Sequence, residues 1–110
     1  REEPYQGKVI ERFGLRGAIG KGGMGPNTLA ALEKQGAVYL HAVGGAAAVL
    51  SQAIKEVVDV HMLEEFGAPE AFWVLRVEDF PAVVTMDSHG NSTHADIDAK
   101  SRKKYERLVG

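Results

Sequence analysis

The sequence contains no cysteine. That excludes a disulfide framework and removes every thiolate that an iron–sulfur cluster or a thiolate-bound metal would need on this chain. The absence fits a reducing compartment. An excess of one charge is missing as well. Thirteen Lys and Arg stand against 15 Asp and Glu, a formal net charge of −2, so no basic field argues for nucleic acid. Long hydrophobic runs are missing too. No stretch approaches the ~20 residues of a membrane span, and the charged first residues lack a signal peptide's apolar core. There is no internal repeat and no low-complexity linker. A cytoplasmic location is therefore expected. What remains is 110 residues of ordinary composition, enough for one domain that buries roughly 60–70% of its unfolded surface without staples.

The apolar pattern predicts alternating helices and strands. Tyr5, Val9, Ile10 and Phe13 recur at helical spacing, and Gly14 suits a helix stop. Leu15 to Ile19 reads as a short strand. Pro26, with Asn27 or Thr28 as a cap, opens a helix that runs through Lys34 and ends at Gly36. Ala37 to Val43 is apolar nearly throughout and reads as a strand covered on both faces. Ala46 to Ile54 reads as a helix of small residues. Val57 to Met62, Ala71 to Val77 and Ala82 to Met86 read as strands, with Pro81 at a bulge, a strand start or an edge. "DSHGNS" is a turn by composition. This order predicts an α/β domain with a mixed, partly parallel sheet. The domain is expected over residues 1–93. Residues 94–110 form a charged tail or a surface helix, and their basic run "KSRKK" reads as a solvated face.

The chemistry concentrates in "AIGKGGMGPNTLAAL". Gly20, Gly22 and Gly25 spell G-x-G-x-x-G between a strand and a helix, the setting of a dinucleotide fingerprint. The ribose-binding acid expected about 20 residues on is absent, since that region reads "LHAVGGAAA". No Gly-Lys-Ser/Thr pair makes a phosphate-binding P-loop. Two readings remain. The loop is a tight corner with Lys21 merely exposed, or it holds a carboxylate or phosphate through Lys21, loop amides and the helix N-terminus. Gly44 and Gly45 repeat the device after the next strand. In a parallel pair both loops lie at one carboxyl edge, where ligands tend to bind.

"GKGGMGPNTLAALEKQGAVYLHAVGGAAAVL" and "FGAPEAFWVLRVEDFPAVVTMDSHGNS" resemble the C-terminal catalytic domain of class I, iron–sulfur-dependent fumarate hydratases. The same domain forms the separate beta subunit of two-subunit fumarases and of L-tartrate dehydratase. The resemblance implies a swivelling β/β/α fold and a hydro-lyase acting on a small dicarboxylate. It implies a 4Fe-4S cluster on a partner alpha subunit or N-terminal domain, and a hetero- or homo-oligomer; charge and hydropathy point to no nucleic acid and no membrane partner. Lys21 matches a lysine that contacts a substrate carboxylate, and Gly22 and Gly23 match its loop glycines. Arg1 stands where the family has the arginine of "G-P-T-T-x-x-R-M", a second carboxylate contact, although Glu2 replaces the methionine. Gly44 and Gly45 match a paired-glycine turn that supports the loop or packs. The resemblance also implies a segment ahead of Arg1 with a further arginine and a threonine proposed for proton transfer. This chain alone is expected to be inactive. The alternative function is a non-catalytic module that binds a small dicarboxylate or phosphate.

The remaining polar candidates read as structural. His41, near the crevice, is expected to be a hydrogen-bonded support of the loop, with acid/base work as the other option. His61 is expected to be half-buried. Asp87, His89, His94 and Asp96 match no tight metal spacing and read as a solvated turn. Glu70 and Trp73 are expected to be structural, with Trp73 in the core or at a subunit interface.

Overall fold

The computed structural model describes residues 1–42 and 47–109. The chain forms two compact units, one from Arg1–Ala42 with Ala82–Gly110, the other within Val43–Pro81. The first contains the α/β layer. Helix α1 spans Glu3–Phe13, strand β1 Gly17–Gly20, helix α2 Pro26–Gln35 and strand β2 Val38–Ala42. Both helices end on a left-handed glycine, Gly14 at φ 60° and Gly36 at φ 67°. There a side chain would be strained, and the freed backbone N–H groups return to the last carbonyls. The N–H groups of Leu15 and Ala37 reach Ile10 O and Leu32 O at 3.0 and 2.8 Å.

Because α2 carries the chain back across the sheet, β1 and β2 pair in parallel, Gly17 opposite Val38 and Gly20 opposite His41. Strand β5, Ala82–Met86, lies antiparallel on the other edge of β2, with a register shift between Tyr39 and Leu40. The sheet is therefore mixed, in the order β1-β2-β5, as an α/β reading of the sequence expects. Its core is Ile10, Ala31, Leu32, Ala37, Tyr39 and Met86, flanked by Leu15, Ala18, Met24 and Leu29. Burying a side chain such as Leu32 or Ile10 contributes about 1.5–3 kcal/mol. On β2 only Tyr39 and Ala42 are buried; Val38, Leu40 and His41 are half-buried.

The apolar stripe expected on α1 is corrected by the structure. The α1 stripe divides: Ile10 is buried, while Tyr5, Val9 and Phe13 are exposed. The face that meets α2 is Glu3, Gly7 and Ile10, again at spacings of four and three. A Cβ on Gly7 would stand 3.2 Å from Asn27 O and 3.4 Å from the Ala31 Cβ, so the glycine lets the helices approach closely. Residues 93–109 form helix α5, Thr93–Val109, with no buried residue. The Ser92 hydroxyl accepts from Ala95 N–H at 3.2 Å at its start.

The second unit holds α3 (Ala47–Ala53), β3 (Ile54–His61), α4 (Leu63–Phe66) and β4 (Phe72–Val77). Strands β3 and β4 form their own antiparallel ribbon and do not extend the first sheet. The third strand thus starts at Ile54 and stops before Met62, which turns left-handed at φ 64°. A two-stranded ribbon covers neither of its faces. His61 is consequently exposed beside Asp59, at 3.4 Å, rather than half-buried. Trp73 is 44% exposed, its indole N–H donating to Ala68 O at 3.0 Å.

Candidate functional site

Strand β1 delivers the chain into the glycine loop at the carboxyl edge of the parallel pair. Lys21 follows the last strand residue and is exposed. Arg1 stands two residues before α1, with Glu2 between. The two cations line one cavity of 460 Å³, with Glu2, Gln6, Gly20, Gly23, Met24 and Tyr39 among its other walls. Arg1, Lys21 and Glu2 leave the cavity with one net positive charge, which favours an anionic occupant.

The glycines prove to have individual reasons. Gly22 is left-handed at φ 72° with open space around it, a backbone only glycine adopts without strain. A Cβ on Gly20 would overlap the Tyr39 hydroxyl, one on Gly23 would overlap the His94 ring, and one on Gly25 would press on the Glu3 carboxyl at 3.0 Å. Three of the four glycines thus answer to close packing within the chain and Gly22 to its backbone conformation, so their number alone is no argument for a ligand.

In the anion-holding reading of the loop the N-terminus of α2 adds to the grip, but in the structure its donors already have a partner. Glu3 is that partner. One carboxylate oxygen accepts from Asn27 N–H at 2.8 Å and Thr28 N–H at 3.1 Å. The other accepts from Gly25 N–H at 2.6 Å and the Thr28 hydroxyl at 2.7 Å. The helix has no capping side chain of its own, so a carboxylate from a neighbouring helix supplies both the acceptors and the charge its dipole favours. Burial pushes the Glu3 pKa up, but the bonds from the Thr28 hydroxyl and the Gly25, Thr28 and Asn27 N–H groups outweigh it and hold the carboxyl below its ordinary value.

His41 reaches the loop from β2. Its Nδ1 lies 3.0 Å from Gly22 N and accepts that N–H in the tautomer with the proton on Nε2. The cavity walls do not include it. Gly44 and Gly45 lie outside the described residues. The acidic–histidine group after β5 does not assemble. The Asp87 carboxylate accepts from the backbone of His89 and Asn91 and from the Asn91 amide, each at 2.9 Å. The Asn91 side chain first, then these N–H groups, hold its pKa below the usual range. Among the described residues no group of three or more His, Asp and Glu could hold a metal. His94 instead turns inward, its Nε2 2.9 Å from the Thr85 hydroxyl. The sequence signals neither Glu3 nor His94, because each acts on residues far along the chain.

Among the described residues no helix is long and apolar enough to cross a membrane. Comparison with known proteins identifies the lineage. The family described as Fumarase C-terminus matches residues 1–97. A Geobacillus stearothermophilus protein provisionally named fumarate hydratase class I is 59% identical over 108 residues, covering 98% of this chain and 21% of the relative. A Methanocaldococcus jannaschii protein provisionally named L(+)-tartrate dehydratase subunit beta is 40% identical over 111 residues, covering 100% of this chain and 57% of the relative. The L(+)-tartrate dehydratase subunit beta of Escherichia coli K12 is 37% identical over 97 residues, 87% of this chain and 48% of its own length. This chain therefore spans about a fifth of the first relative and about half of the other two. The chain belongs to the fumarase C-terminus family.

Proposed function

We propose that this chain is the carboxylate-gripping part of a fumarate- or tartrate-type hydro-lyase, working with an iron–sulfur partner subunit or domain. The observation that carries the reading is that Arg1 and Lys21, far apart in sequence, line one cavity at the end of β1. The reaction adds or removes water across a carbon–carbon bond flanked by carboxylates. Charge builds on the carboxylate next to the carbon that gives up or takes the proton. A fixed cation there grips the carboxylate already in the ground state and meets the added charge as it builds, so its loss falls chiefly on KM. Lys21 supplies a point charge and Arg1 a fork able to bind a carboxylate through two parallel bonds. The relatives' names, fumarate hydratase and tartrate dehydratase, fall within this substrate class.

A 4Fe-4S cluster needs thiolate ligands, and the sequence has no cysteine. The residues of this chain do not fit the cluster, which belongs to the partner in this reading. The chain's own work is to bind, orient and neutralise the dicarboxylate.

The test is co-expression with a candidate iron–sulfur subunit and a hydration and dehydration assay over a panel of dicarboxylates. Lys21→Ala should lower kcat/KM by a factor equivalent to about 1.5–3 kcal/mol, the worth of a charged hydrogen bond. Wild-type kinetics in that variant would remove Lys21 from the site.

A further inference from the structure

We propose that His94 is a positioning residue for the anion loop: its imidazole, delivered by α5, is the wall against which Gly23 sets the backbone that carries Lys21. The proposal rests on the carboxylate-gripping role of Lys21. Four glycines between residues 20 and 25 make this segment costly to order, because glycine loses the most backbone freedom on folding. A lysine on such a loop binds tightly only if the loop is already held.

Two imidazoles hold it. His41 ties Gly22 to β2 through its Nδ1 at 3.0 Å. His94 lies against Gly23 so closely that a Cβ there would overlap ring atoms Cγ, Cδ2 and Nδ1. The ring is itself fixed from other sides. Its Nε2 is 2.9 Å from the Thr85 hydroxyl on β5. It stands edge-on to Tyr39 at 6.5 Å and to His41 at 6.4 Å between centroids. The overlap involves the root of the ring, not the far end of a flexible chain, so neither partner can give way without breaking the Thr85 contact or moving the loop. Gly23 and His94 are therefore a matched pair, and the His94 ring joins α5 to the anion loop.

The experiment uses the active enzyme containing this chain and its iron–sulfur partner. His94→Ala should raise KM for the dicarboxylate about 5- to 20-fold with kcat within about twofold, the pattern of lost binding geometry rather than lost chemistry. His94→Phe keeps the ring volume and should restore KM to within about threefold. Gly23→Ala should raise KM and lower the melting temperature when His94 is present, and should add less than about twofold in the His94→Ala background, where the methyl has room. Unchanged KM in His94→Ala, or an equal Gly23→Ala penalty in both backgrounds, overturns the proposal. If His94→Ala does not fold, His94→Asn carries the same comparisons. Lys21→Ala run in parallel separates the two ideas. A normal KM there removes the anion site itself, whereas a raised KM there with a normal KM in His94→Ala removes only the role of His94.

Discussion

Glu3 shows how one side chain can decide what a site is free to bind. Its carboxylate takes the donors that a ligand would otherwise find at the start of α2. The cation at the cavity must then come from side chains, Lys21 and Arg1, rather than from the helix. The same contact makes stability depend on pH. The folded-state pKa of Glu3 is depressed, so its contribution is present above the unfolded-state value and is lost as the pH falls through the folded one. Glu3→Gln should cost about 1–2 kcal/mol at neutral pH. The difference from wild type should shrink as the pH drops below the ordinary carboxylate range. Urea unfolding of both proteins across that range checks this; a constant difference at all pH values would show that the charge is irrelevant.

At the level of elements, the α1–α2 contact depends on close approach more than on an apolar stripe. Gly7 supplies the approach, with Asn27 O and the Ala31 Cβ at the limit of what even a methyl would meet. Gly7→Val should separate the helices and cost about 1–3 kcal/mol by overpacking. Gly7→Ala should be near neutral, because a gain of about 1 kcal/mol in helix propensity offsets the tighter contact. Thermal unfolding of the pair distinguishes these outcomes. Since Arg1 is joined to α1 through the single residue Glu2, displacing that helix should also weaken the proposed dicarboxylate binding, so a raised KM is expected with the valine and not with the alanine.

For the molecule as a whole, composition and surface point the same way. The β3–β4 ribbon leaves Val57, Phe72, Trp73 and Leu75 partly exposed, and the chain spans only a part of the relatives it matches. The purified chain alone is expected to carry no iron and to hydrate no dicarboxylate. In the proposed reading, adding a candidate iron–sulfur partner should bring both iron content and loss of fumarate absorbance. Activity from the chain by itself would contradict the division of labour.

Local chemistry was legible in the sequence wherever the cause is local. Gly14 and Gly36 end their helices because glycine enters the left-handed region freely, and Pro26 starts one because its fixed φ suits a first turn. The apolar run at β2, the crossover through α2 and the order of elements made the mixed α/β class readable, and linear motifs made the family readable. Tertiary structure alone decided which face of α1 is inside, since Glu3 and Gly7 carry no hydrophobic signal. It alone separated the β3–β4 ribbon from the first sheet, because period-two patterning does not name a strand's partner. It turned His94 away from the Asp87 turn and onto Gly23, and it filled the α2 N-terminus with Glu3. Each of these depends on a contact between residues distant along the chain, and the free energy of such a contact is written in neither partner separately.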